Sequence, residues 1–98
     1  MSKHYLIVSG SVADQEKITK YKEVAGPVMK KFNGVMPPEN FEVTNILAGS
    51  LRPTFLLRIE FPDAQNIKDA FASEEYLAAI KNRDEGFSNL SIYSVKGD

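Results

Sequence analysis

Apolar positions recur along the chain with two different periods, and each change of period marks an element. Residues 4–12, HYLIVSGSV, are rich in β-branched and aromatic residues with few charges. They predict a strand that is apolar on both faces and therefore covered on both. The period then lengthens. Ile18, Tyr21, Ala25, Val28 and Phe32 recur at spacings of three and four, the stripe of one helix. Asp14 is placed to cap its start, with Gln15-Glu16 in a first turn that favours negative charge. Lys30 and Lys31 suit its C-terminal end, and Asn33-Gly34 supplies the stop. Gly26-Pro27 interrupts the stripe: Pro27 must displace the carbonyl of Glu23, which predicts a kink or two abutting segments.

Pro37-Pro38-Glu39-Asn40 reads as a turn, Phe41–Ala48 as a second strand, and Gly49–Pro53 as a loop rich in helix and strand breakers. Thr54–Phe61 is the strongest strand. Its odd-numbered residues, Phe55, Leu57, Ile59 and Phe61, form one fully apolar face suited to helices. Thr54, Leu56, Arg58 and Glu60 take the other face. Pro62-Asp63 ends this strand and caps a helix. Within 64–85 the helical phase slips: Ile67, Ala70 and Phe71 share one face, whereas Tyr76, Leu77 and Ile80 lie on a rotated one. Ser73 followed by Glu74-Glu75 is a fresh N-cap, so two helices are expected, broken near Ala72-Ser73 and ended by Arg83-Asp84-Glu85-Gly86. Phe87–Val95 alternates as a fourth strand, Leu90 and Ile92 against Ser91, Tyr93 and Val95.

The resulting order, β-α-β-β-α-β, is the split βαβ of a ferredoxin-like α+β fold, expected here as a single domain over residues 1–98. Helices cover only one face of such a sheet. The apolar character of the other face predicts a homodimer in which a second copy covers it, sheet against sheet.

Composition narrows the range of functions. A formal net charge of −1 offers no basic excess for nucleic acid or an anionic membrane. Strand three, TFLLRIEF, also lacks the R-G-F-G-F-V-x-F pattern of the RNA-binding modules that share this element order. There are no cysteines, which removes thiol chemistry and thiolate metal sites and suits a reducing, cytoplasmic compartment. The opening apolar run is too short for a signal-peptide core, and no stretch approaches a membrane span. A single histidine and no spaced carboxylate cluster argue against a metal, and no motif calls for a cofactor.

Six side chains remain as ligand-binding candidates: His4, Tyr21, Arg58, Glu60, Tyr76 and Arg83. Arg58 and Glu60 share one face of a strand, roughly 7 Å apart at about 3.3 Å per residue. If the dimer covers that face they must be paired, because breaking a buried pair costs on the order of 3–5 kcal/mol. They read first as a dimer-face ion pair and second as ligand contacts. His4 is the one side chain that titrates near neutrality unperturbed, but it falls at the loose start of the chain. Tyr21 and Tyr76 belong to the apolar stripes of different helices, where two phenols facing one sheet would line a cavity and each need a hydrogen-bond partner. Arg83 would hold an anionic ligand there or simply favour the helix C-terminus.

The stretch RIEFPDAQNIKDAFASEEYLAAIKNRDEGF resembles the signature of the family known as domain of unknown function 1330, in the dimeric α/β-barrel superfamily. The resemblance rests on Glu60-Phe61-Pro62-Asp63, then Ser73, Glu75 and Tyr76, then Arg83. It extends more loosely to Tyr5–Val8, Asp14, Tyr21 and Pro27, and so spans nearly the whole chain. Asn33-Gly34 stands where such sequences carry a glycine pair, Pro37-Pro38 breaks the usual second-strand segment, and Ala72 replaces an aromatic. The resemblance implies a ferredoxin-like subunit and a barrel closed by two sheets; it implies no activity. Three functions follow as expectations: a non-catalytic ligand-binding dimer with a pocket between sheet and helices, a cofactor-independent enzyme of oxygenase or isomerase type using the same pocket, and a purely structural interaction module.

Overall fold

The computed structural model describes residues 3–36 and 40–97. Its elements are β1 (Lys3–Val12), α1 (Gln15–Lys31), β2 (Phe41–Glu42), β3 (Phe55–Phe61), α2 (Ala64–Ala72), α3 (Glu74–Gly86) and β4 (Phe87–Gly97). The strands form one antiparallel sheet in the order β2-β3-β1-β4. With α2 and α3 together making the second crossover, this is the ferredoxin-like arrangement.

Register decides which side chains meet. Leu6 stands opposite Ile59 and Val8 opposite Leu57, so the helix-facing surface of β1 and β3 is continuous and apolar. Leu6, Ile59 and Phe61 are buried there against Ala25, Val28 and Met29 of α1, Ile67 and Ala70 of α2, and Tyr76 of α3. On the opposite surface Tyr5 lies between Glu60 and Val95, and Ile7 between Arg58 and Tyr93.

The helix ends follow local chemistry. The Asp14 carboxylate accepts hydrogen bonds from the backbone N–H groups of Glu16 and Lys17 at 3.1 and 3.3 Å. Asp63 accepts from the Asn66 N–H at 2.9 Å. Ser73 serves two helices: its hydroxyl donates to the Ala70 carbonyl at 2.7 Å and accepts from the Tyr76 N–H at 3.3 Å. Asn33, at φ 70°, takes the left-handed position that ends α1, and Gly34 N–H bonds the Met29 carbonyl at 2.8 Å. Gly86 closes α3 onto α1: its carbonyl accepts from the N–H groups of Ala13 and Asp14, and a Cβ there would stand 2.9 Å from Ile18 Cγ1.

Three expectations are corrected. The interruption at Gly26-Pro27 does not divide the helix, since α1 runs unbroken from Gln15 to Lys31. Glu23 and Pro27 are both exposed, so the carbonyl that loses its partner faces water while Ala25, Val28 and Met29 stay packed. The second strand, expected over Phe41–Ala48, is confined to Phe41–Glu42. A last hydrogen bond joins the Val43 N–H to Thr54 O, but the Thr54 N–H turns to Gly10 O, and residues 44–52 are exposed, Leu47 at 93%. The β pattern is present in that stretch, but among the described residues a ladder partner is not. Finally, His4 is not at a loose end. It is half-buried within β1, paired with Phe61 on one side and Lys96 on the other. Of the expected turn at 37–40, residues 37–39 lie outside the described residues.

Candidate functional site

The stripe of α1 presents Tyr21 toward the sheet, and the Ser73 cap fixes Tyr76 in the first turn of α3, where it is 0% exposed. The two rings meet edge to face with centroids 6.0 Å apart, and their hydroxyl oxygens are 3.0 Å apart. Arg83 follows Tyr76 by seven residues, about two helical turns, and so shares its face of α3. Its Nη1 donates to the Tyr76 hydroxyl at 3.1 Å, and its Nε to Asp84 Oδ1 at 3.0 Å. Phe71 packs on Tyr76 at 4.4 Å between centroids, and Phe87 meets Tyr21 edge-on at 5.8 Å.

The surroundings fix the charge states. Burial, reinforced by the neighbouring Tyr76, pushes the Tyr21 phenol well above its ordinary value near 10, so this group keeps its proton. Partial burial works against the charge on Arg83, but hydrogen bonds to Tyr76 and Asp84 outweigh it and raise its pKa. The cluster therefore joins a permanent cation, through the Tyr76 hydroxyl, to a Tyr21 phenol that keeps its proton.

Tyr21 is in the wall of a cavity of about 480 Å³ between α1 and the helix-facing side of β1 and β3. Leu6, Val8, Leu57 and Ile59 form its floor and Ile18 and Met29 part of its roof, with Gln15, Lys22 and Asn40 as further polar neighbours. Tyr76 and Arg83 stand behind Tyr21, outside this wall. A second cavity of about 480 Å³ lies between α2, α3 and β4, where Arg83, Lys68 and Asp84 meet the apolar Ile67, Phe71, Leu90 and Ile92. Hydrogen bonds thus run from the second cavity, through a buried phenol, to the first.

The candidates read from sequence therefore separate. Tyr21, Tyr76 and Arg83 are brought together in one hydrogen-bonded row. Arg58 and Glu60 lie on the opposite face of the sheet, where the Arg58 guanidinium sits over the Tyr5 ring at 5.0 Å. Within this chain no ion pair joins Arg58 to Glu60 among the described residues. His4 lines neither cavity. Sequence reasoning missed Asp84, Phe71 and Phe87 as partners of this row. For Asp84 the signal was its place beside Arg83; the two phenylalanines meet the tyrosines only through tertiary packing. Among the described residues no three His, Asp or Glu side chains are grouped to hold a metal, and no helix is long and apolar enough to cross a membrane.

The same fold recurs in solved structures. A protein of unknown function from Rhodopseudomonas palustris superposes with a TM-score of 0.75 at 16% identity, over 96% of this chain and 80% of that one. A dimeric protein of unknown function with a ferredoxin-like fold from Bacteroides fragilis gives 0.57 at 20% identity, over 95% and 94%. A dabb-family protein with a ferredoxin-like fold from Mesorhizobium loti gives 0.63 at 10% identity, over 100% and 97%. Topology and these likenesses define a ferredoxin-like α+β protein. Within it, the chain belongs to the family described as Domain of unknown function (DUF1330), whose model matches residues 3–97. No curated protein matches the chain.

Proposed function

We propose that this protein is a cytoplasmic homodimer that binds a small, largely apolar molecule in the cavity between α1 and the sheet. The observation that carries the reading is that cavity itself. Its volume of about 480 Å³ lies within the roughly 300–1,000 Å³ typical of ligand sites, and its walls are apolar apart from a few groups that include Tyr21. A purely structural module has no need of such a space, because empty volume in a core is destabilising.

The dimer is supported by the opposite face of the sheet. Tyr93 and Val95 are 52% and 38% exposed there, beside Phe41, Tyr5 and Ile7, and the protein from Bacteroides fragilis is described as dimeric. The cytoplasmic location rests on the absence of cysteine.

Binding is tested with acetophenone as a small apolar probe, read as a rise in melting temperature. The wild-type protein is expected to be stabilised in proportion to probe concentration. Val8→Phe, which places a ring in the cavity, is expected to fold and to lose the response. A wild-type protein indifferent to the probe, or a Val8→Phe variant that responds equally, would sink the assignment.

A further inference from the structure

Resting on that cavity as the ligand site, we infer that Tyr21 presents its hydroxyl proton to the cavity, so that the ligand is a neutral, mostly apolar molecule bearing a carbonyl or similar acceptor oxygen. The argument is an account of three groups of protons. Arg83 is a donor only, so the Tyr76 oxygen must accept from it. Tyr76 is completely buried, and among the described residues its hydroxyl has one other partner, the Tyr21 oxygen at 3.0 Å. If Tyr21 donated to Tyr76, the Tyr76 proton would be left buried without an acceptor, which is the costly outcome for a polar group. The order is therefore Arg83 to Tyr76 to Tyr21. Tyr21, having accepted, keeps its own proton free, and Tyr21 is the member of this row that lines the cavity.

The order also strengthens the donor. A phenol that accepts from a chain headed by a cation has a more polarised O–H, because successive hydrogen bonds polarise one another. The Tyr21 phenol holds its proton through the neutral range, so the donor is always loaded. A ligand whose polar group is itself only a donor, such as an ammonium, would meet a donor at Tyr21 and gain nothing from it. A carboxylate would be a good acceptor but would lose its hydration against mostly apolar walls, where Lys22, the one lining cation among the described residues, is exposed to solvent. A ketone or aldehyde oxygen, cheap to desolvate and able to accept, matches the site best.

The test compares acetophenone with α-methylstyrene, which has nearly the same shape but a methylene in place of the carbonyl oxygen, by titration calorimetry or ligand-observed NMR. The wild-type protein is expected to bind acetophenone about 3- to 10-fold more tightly. In Tyr21→Phe this ratio should fall to about one while α-methylstyrene binding is kept, which also shows that the cavity has survived the substitution. Equal wild-type affinities, or a preference for α-methylstyrene, overturn the donor assignment and leave the cavity standing. Failure of both compounds to bind overturns the cavity reading and the donor assignment together.

Discussion

A phenol buried as completely as Tyr76 must settle its proton and its lone pairs inside the protein, and that demand arranges its neighbours. Arg83 fills one side and Tyr21 the other, while Ser73 holds the backbone of Tyr76 in place. Tyr21 bears the electrostatic consequence. Its folded-state pKa is raised, chiefly by burial, whereas the same group in the unfolded chain ionises near 10. Below about pH 10 both states hold the proton and the contribution to stability is complete. Above it the unfolded chain releases a proton that the folded chain keeps, so stability falls as pH rises. Urea unfolding between pH 9 and 11 should show this decline, and in Tyr21→Phe it should be shallower. An identical slope in the two proteins would remove Tyr21 from the account.

At the scale of elements, caps and partners count for more than intrinsic preference. Ser73 ends α2 and begins α3 with one side chain, and it also sets the phase that turns Tyr76 inward and Arg83 after it. Ser73→Ala should cost about 1 kcal/mol in denaturant unfolding, and Ser73→Asp should recover most of it as an alternative N-cap. A loss in Ser73→Asp equal to that in Ser73→Ala would mean that the tie to Ala70, not the cap, is what holds the junction. The slipped phase within 64–85 made this break legible in the sequence, because Ile67, Ala70 and Phe71 share no face with Tyr76 and Ile80 on a single helix. The strand at 41–48 was legible only as a tendency. Its apolar, β-prone residues meet β3 for two positions and then join no further ladder among the described residues. Pro27 is a related case: its effect depends on whether the freed carbonyl of Glu23 faces water or core, and the stripe alone does not weigh that.

For the whole molecule the decisive feature is the helix-free face of the sheet. Tyr93, Val95, Phe41 and Ile7 expose apolar surface there, interrupted by Arg58 over Tyr5 and by Glu60. Tyr93→Asp places a charge on this face along the edge strand β4, opposite Ile7 and away from the Tyr21 cavity. If two copies close on this face, wild-type protein should run as a dimer in sizing with light scattering at micromolar concentration, and Tyr93→Asp should run as a monomer. A wild-type monomer under those conditions would refute the dimer and leave Arg58 and Glu60 on a solvated surface. The alternation of strand three was enough to separate the two faces: its odd residues go to the helices and Arg58 and Glu60 go to the other side.

What the sequence determined by itself was whatever depends on neighbours along the chain. Period fixes helix or strand, a side-chain oxygen before a polar turn fixes a helix start, and alternation fixes which residues share a face. From these came the β-α-β-β-α-β order, the caps at Asp14, Asp63 and Ser73, and the inward direction of Tyr21 and Tyr76. Tertiary structure alone decided what those side chains meet. It placed the two hydroxyls, 55 residues apart in sequence, within 3.0 Å, set Arg83 behind them, left a cavity in front of Tyr21, and ended the second strand after two residues. The reason is physical: periodicity encodes direction, whereas hydrogen-bond partners, ladder partners and empty volume belong to the packing of elements distant in sequence.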